Sequence, residues 1–383
     1  MADCGVNPLR WDLKWIGENI CYRLHPKVDP ATRSQRPIEF TEEEMDGNSE
    51  NDPDFTEMLD EPNVVAPDEI EKVRATLHVP DRYIGSVCGK QHSRRKEIEA
   101  DTATIIRIPE KGSDDDIVIL GDTHESVAEC LSRLRTLIDI ARSYEAVTHI
   151  ISIPLAFDTV KKNLNEFRCL AIATSPALSE RLFVCEDKLH LTVCCLCLQD
   201  EVELLQAGDV LLGCEDLVAK HLEEKPLFIQ IRGLEIMNDD PDVVNVLYAN
   251  IQEAQRNDTG RLQGLCDDVV QRFRESGLMV NSQASDREHL KLHMTLMNSK
   301  LAQEPNALVN PAFAFRNRRR TYDNVKPFSA KKILQTLGDQ DFGVVQVCQM
   351  ELNVISQVEP CTGYYRCMAK ICFPIDAELL PTY

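Results

Sequence analysis

The segments Lys188-Leu189-His190-Leu191-Thr192-Val193 and Lys291-Leu292-His293-Met294-Thr295-Leu296 repeat one pattern 103 residues apart. Residues two apart in a strand share a face. Lys188, His190 and Thr192 therefore point one way and Leu189, Leu191 and Val193 the other; Lys291, His293 and Thr295 separate from Leu292, Met294 and Leu296 in the same manner. The apolar rows predict burial, and the polar rows predict a site. Two imidazoles suit the cleavage of a phosphate ester. A neutral one takes a proton from an attacking hydroxyl or water, and a protonated one gives a proton to the leaving oxygen. Histidine is the side chain whose ordinary pKa allows both states near neutral pH. The hydroxyls of Thr192 and Thr295 can donate to the non-bridging oxygens, where charge must be held. Such chemistry requires no metal or other cofactor, and no carboxylate cluster stands beside the motifs.

A single H-x-[ST] is a weak signal. His124-x-Ser126 also fits, and it reads as the opening of a helix. The specific feature is the repeat on two strand candidates. It resembles the two-histidine (2H) phosphoesterase superfamily, whose members act on cyclic phosphates and RNA ends without metal. The segments His149–Leu155, Phe342-Gly343 and Gly363-Tyr364-Tyr365-Arg366 add to this likeness, which spans residues 148–374. The resemblance implies that His190 and His293 are the acid–base pair, with neither assigned to either task, and that Thr192 and Thr295 are the phosphate-binding hydroxyls.

The elements that must position these residues read as an α+β chain. Strand candidates are His149–Pro154, Lys188–Leu196, Phe228–Ile236, Val243–Ile251, Leu290–Met297, Val344–Ile355 and Tyr364–Phe373. Helix candidates lie at Thr159–Arg168, Glu201–Leu222, Gly260–Ser276 and Ala330–Leu337, the third stopped by Gly277. The repeat suggests two related lobes, each giving one strand to the site, in a domain over 146–378.

Upstream, residues 71–145 follow the order β-α-α-β-β-α. Val73–Val79 alternates as a strand, and Val127, Cys130, Leu131, Leu134, Leu137, Ile138 and Ala141 form one stripe of a helix over Thr123–Arg142. This order resembles a KH domain, a module that grips a nucleic-acid backbone with a G-x-x-G loop. A short loop is expected around Gly85–His92, and the stretch within it that matches G-x-x-G is Gly89-Lys90-Gln91-His92, followed by Arg94, Arg95 and Lys96. His92 replaces the second glycine, which predicts a loss of easy positive φ and of close backbone approach.

Net charge is −21, against a generally basic nucleic-acid binder, but Glu39–Glu71 alone holds fourteen carboxylates and no Lys or Arg. Any anion site must therefore rest on local positive charge. Residues 1–70 predict a mostly disordered acidic region. Its apolar exception is Leu9, Trp11, Leu13, Trp15, Ile16, Ile20 and Tyr22, which reads equally as a docking segment or as a terminal strand packed on the globular part. The fifteen cysteines include many in apolar strands and predict reduced thiols. Cys194 and Cys197 have C-x-x-C spacing but no second Cys/His pair, so no zinc site is expected. No signal peptide and no membrane-spanning run are read. Arg316, Arg318, Arg319 and Arg320 form a basic loop that either borders the phosphate site or is a solvated or nuclear-import segment.

A KH domain followed by a bilobal 2H phosphoesterase-like domain resembles the family of KH-containing subunits of the activating signal cointegrator 1 complex. Met237-Asn238-Asp239-Asp240-Pro241 and Leu296-Met297-Asn298 are further points of likeness. The resemblance implies a nuclear protein, with the cytoplasm as a second compartment. Its implied partners are a helicase and other subunits of that complex, together with RNA or single-stranded nucleic acid. It also implies links to transcriptional coactivation and repair of alkylation damage. An active RNA phosphodiesterase and a scaffold with vestigial sites remain the alternatives.

Overall fold

The computed structural model describes residues 12–15, 21–24, 72–110, 112, 113, 115–254, 260–280, 289–302 and 326–376. The acidic run Glu39–Glu71 and the arginines Arg316, Arg318, Arg319 and Arg320 lie outside them. Of the N-terminal apolar segment, β1 (Asp12–Trp15) and β2 (Cys21–Leu24) pair as an antiparallel hairpin.

The next unit runs β3 (Val73–Leu77), α1 (Asp81–Cys88), α2 (Ser93–Thr102), β4 (Thr104–Arg107), β5 (Ile117–Gly121) and α3 (His124–Ser143). This is the β-α-α-β-β-α order expected of a KH domain. Its sheet has the order β3-β5-β4, antiparallel throughout. The helical stripe of α3 supplies Val127, Cys130, Leu134 and Ile138 to a core completed by Tyr83, Val87, Ile98, Ile106, Ile117 and Ile119. Thr123 caps α3 by accepting from the Ser126 amide at 3.1 Å. The region around Gly85, expected as loop, is helical: α1 runs through it, and the loop shrinks to 89–92.

The larger unit contains β6 (His149–Pro154), α4 (Asp158–Thr174), β7 (His190–Leu196), α5 (Glu201–Gly213), α6 (Glu215–Leu222), β8 (Leu227–Ile236) and β9 (Val246–Glu253). It continues with α7 (Arg261–Glu275), β10 (His293–Asn298), α8 (Lys331–Leu337), β11 (Asp341–Val347), β12 (Gln349–Val358) and β13 (Tyr365–Cys372). One antiparallel sheet has the order β11-β8-β9-β10-β7-β6-β12-β13. The two motif strands, β10 and β7, are its central pair, with three strands on either side.

Two expected elements divide. The single helix over Glu201–Leu222 breaks at Cys214 into α5 and α6. The single strand over Val344–Ile355 becomes β11 and β12, parted by Cys348 alone yet near opposite ends of the sheet order. Six strand spacings span roughly 29 Å in a flat sheet, and one residue reaches only about 4 Å. The sheet must therefore curl until these strands meet.

A β-bulge follows each motif threonine. Ser152 pairs with Thr192 and Ile151 with Cys194, so Val193 is an extra residue. Tyr248 pairs with Thr295 and Leu247 with Met297, so Leu296 is extra. An extra residue reverses the alternation beyond it. Hence Val193, Cys194 and Leu196 all join the main core, while Cys197 joins a smaller cluster with Ile150, Ile355 and Tyr364.

That small cluster is where the KH unit attaches. The Tyr83 hydroxyl lies 3.7 Å from Cys197 Sγ, and the Arg142 guanidinium lies 5.3 Å from the Tyr83 ring centre. Arg142 also donates to the Cys197 carbonyl and pairs with Glu203 of α5. His78 bridges two carboxylates, Asp116 at 3.3 Å and Asp200 at 2.8 Å, and they hold its pKa above the ordinary value against the opposing effect of burial.

Candidate active site

Leu191 of β7 opposes Met294 of β10. Both are fully buried, as are Leu196 and Leu296, so one face of the central pair is core. Alternation then puts His190, Thr192, His293 and Thr295 on the other face. Continuing the same antiparallel register by one residue sets His293 across from Thr192 and His190 across from Thr295. The structure therefore brings together all four residues that the repeat singled out.

The two histidines are held identically. His190 Nδ1 lies 2.7 Å from the Lys188 carbonyl, and His293 Nδ1 lies 2.7 Å from the Lys291 carbonyl. A carbonyl can only accept, so Nδ1 must carry the proton in both rings. Nε2 is thereby the nitrogen that can exchange a proton with a substrate. Burial lowers the His190 pKa to about 4, and the neighbouring His293 pushes in the same direction, against the raising effect of the Lys188 carbonyl. His190 is accordingly neutral at physiological pH.

Aromatic rings complete each half. His190 meets Tyr365 and Tyr364 edge-on, at ring-centre distances of 5.7 and 6.5 Å. His293 meets Tyr248 at 5.2 Å. Behind Tyr248, Glu235 accepts from its hydroxyl at 2.7 Å, from Asn250 at 2.8 Å and from Lys291 at 3.3 Å. These partners lower the Glu235 pKa, the Tyr248 hydroxyl most of all. On the other side Ser152 donates to Asn353 Oδ1 at 2.7 Å and lies 2.9 Å from the Tyr364 hydroxyl, while Asn353 donates to Glu351 at 2.8 Å. Burial raises the Glu351 carboxyl above its ordinary value.

Lys188 departs from expectation. It ends a short 3₁₀ turn over Glu186–Lys188 instead of lying in the strand, and it is only 7% exposed. Tyr248, Glu235, Ser152 and Asn353 are site residues that the sequence does not single out. The only trace they leave is a polar residue at alternate places in otherwise apolar strands. Beside the His190 half lies a cavity of about 940 Å³, lined by Pro154, Lys161, Asp187, Glu351, Tyr364 and Tyr365 among others. Pro154 is the register partner of His190, so the cavity adjoins the histidine pair without containing it.

The KH loop keeps its shape despite the missing glycine. Gly89, Gln91 and His92 all have positive φ, at 70°, 52° and 57°. The expected loss of positive φ does not occur; the side chains at 91 and 92 bear the strain, of order 1–2 kcal/mol per residue. Gly89 is required, since a Cβ there would stand 2.8 Å from Arg94 Cβ. Lys90, Gln91, His92, Arg94 and Lys96 are exposed, and Arg95 is partly buried near Glu99 at 3.7 Å. Arg94 donates to the Ser86 carbonyl at 2.5 Å, tying the loop to the end of α1.

Comparison with known proteins gives three likenesses. Residues 147–373 match the family described as AKAP7 2'5' RNA ligase-like domain. Residues 74–136 match the KH domain. The mouse protein named activating signal cointegrator 1 complex subunit 1 is 28% identical over 355 residues, covering 90% of this chain and 98% of that protein.

Proposed function

The chain belongs to the AKAP7 2'5' RNA ligase-like domain family, and on that basis we propose that it is a nucleic-acid-binding subunit whose two-histidine site holds a phosphate ester. The observation that carries this reading is the matched pair of histidines, each with Nδ1 fixed on a carbonyl and Nε2 turned to proton exchange beside a threonine. Turnover at this site, which belongs to the enzymatic reading given below, would use His190, kept neutral by burial, to take a proton at Nε2 from the attacking hydroxyl or water. His293 gives a proton to the leaving oxygen. Thr192 and Thr295 donate hydrogen bonds to the non-bridging oxygens.

The KH unit would supply the grip on the strand. Lys90, Arg94, Arg95 and Lys96 offer a few phosphate contacts, and Gly89, Gln91 and His92 shape the loop between them. The likeness to the mouse complex subunit supports membership of a corresponding complex; a helicase and companion subunits are the partners we propose within it. Placement in the nucleus, with a cytoplasmic pool as the alternative, and roles in transcriptional coactivation and repair of alkylation damage are part of the same proposal and rest on the resemblance of the sequence to the subunits of that complex. The second reading, an active metal-independent RNA phosphodiesterase, is favoured by the complete acid–base constellation.

The test is incubation of the full chain, in chelator, with nucleoside 2′,3′-cyclic phosphates and short RNAs. His190→Ala and His293→Ala serve as controls. Turnover lost in both variants supports the enzyme. Binding without turnover, still dependent on both histidines, supports the binding subunit. Neither binding nor turnover overturns both readings.

A further inference from the structure

The duplicated halves differ at their lysines. Lys291 Nζ lies 4.7 Å from the Tyr248 ring centre and 3.3 Å from Glu235 Oε2, so its charge is balanced. Lys188 takes the matching place on the other half. Its Nζ lies 5.4 Å from the Tyr365 ring centre, and the same ring is the edge partner of His190. Yet among the described residues no carboxylate pairs with Lys188, although it is 7% exposed. Its chain neighbour Asp187 is taken by Lys161, at 2.6 Å. An ammonium buried without a counter-charge is unfavourable, and a ring face offsets only part of that cost. Burial accordingly lowers the Lys188 pKa, outweighing the smaller raising effect of the nearby Cys185 and Asp187.

We propose that the missing counter-charge is the substrate: Lys188, held against Tyr365 beside His190, contacts a non-bridging oxygen of the phosphate ester bound at the two-histidine site. The inference rests on the phosphoester reading and extends it to a residue and a charge. It explains why one lysine of the repeat is neutralised and the other is not. A tetrahedral oxyanion facing Thr192, Thr295 and the two Nε2 atoms leaves one side for a cation, and Lys188 fills it. The adjoining cavity carries Asp187, Glu351 and Glu359 against Lys161 alone, so it repels further phosphates and suits the uncharged part of a ligand.

Thermal unfolding of the full chain, with and without inorganic phosphate or a nucleoside 2′,3′-cyclic monophosphate, tests this. Lys188→Met should raise the ligand-free Tm by roughly 2 °C, because an unpaired buried charge is removed. It should also weaken both ligands by about ten- to a hundredfold. Lys188→Arg should keep most of the ligand-induced shift, and Lys291→Met should weaken the ligands by less than about threefold. Should Lys188→Met fold poorly, Lys188→Gln provides the same comparison. A Lys188→Met protein of lower Tm with an undiminished ligand shift overturns the proposal and makes the lysine structural. If His190→Ala and His293→Ala abolish the shift while the Lys188 variants keep it, the phosphoester site stands and Lys188 has no part in it. If the parent shows no shift with either ligand, both fall.

Discussion

Arg142 and Glu203 form an ion pair across the junction of the KH unit and the larger domain, their side chains only 4% and 3% exposed. Removing one partner of a buried pair leaves an uncompensated charge and typically costs about 3–5 kcal/mol, whereas replacing both with apolar groups is often neutral. Arg142→Met and Glu203→Leu should each be strongly destabilising in urea unfolding, and the double variant should recover most of the loss. Additive losses would show that the two residues do not depend on each other.

Acid should destabilise the fold through two partly buried neutral histidines. Burial lowers His149 and His190 to about 4 from an ordinary 6.5. A histidine depressed in the folded state contributes stability that is present above pH 6.5 and lost as pH falls toward 4, because the unfolded chain binds protons first. His78 acts in reverse. Its raised value contributes stability below pH 6.5 that is lost as pH rises through the folded pKa. Denaturation midpoints between pH 4 and 8 should therefore fall on the acid side less steeply in His149→Gln, and on the neutral side less steeply in His78→Gln.

The shared tautomer allows a separation of structure from chemistry. His190→Asn can keep a donor near Nδ1 for the Lys188 carbonyl, while His190→Ala loses it. Neither retains Nε2. Both should lose turnover of a cyclic phosphodiester by about 10²–10⁴-fold. Only the alanine variant should also lose the hydrogen bond, worth about 1 kcal/mol in unfolding measurements. Equal stability of the two variants would mean that the carbonyl does not hold the ring.

In the KH loop, Gly89→Ala should destabilise the unit, because the new Cβ meets Arg94 at 2.8 Å and φ is 70°. Lys90→Glu with Lys96→Glu should leave folding intact while weakening single-strand binding. Each phosphate no longer neutralised should lower the salt slope by about 0.7. An unchanged slope would assign this surface to protein partners.

Much of the site was legible because its information is local. His190-x-Thr192 and His293-x-Thr295 announce strand faces within six residues, and the repeat pairs them without any knowledge of the sheet. Tyr248, Glu235, Ser152 and Asn353 were not legible. Each reaches the histidines through register with a strand distant in sequence, and a lone polar residue in an apolar run has many bland explanations. Likewise, β11 and β12 read as one strand because nothing in the alternation around Cys348 records that the partner strands change. The helix through Gly85 was lost for the opposite reason: glycine signals a break locally, and the packing of Tyr83 and Val87 overrides it.

The extra residue at Val193 makes β7 a strand with two phases. Before it, even-numbered side chains look toward the phosphate site. After it, odd-numbered ones do, and Cys197 is turned to meet Tyr83. The C-x-x-C spacing of Cys194 and Cys197 is thus no chelate, since the two thiols look into different layers. The same shift sets how the chain tolerates change in length. Deleting Val193 would remove the extra residue and return β7 to one phase, with Cys194 to Cys197 keeping their faces. Deleting Cys195 instead would leave His190 and Thr192 where they are and turn Cys197 to the opposite face, so that one-residue deletion would uncouple the two domains while sparing the histidine itself.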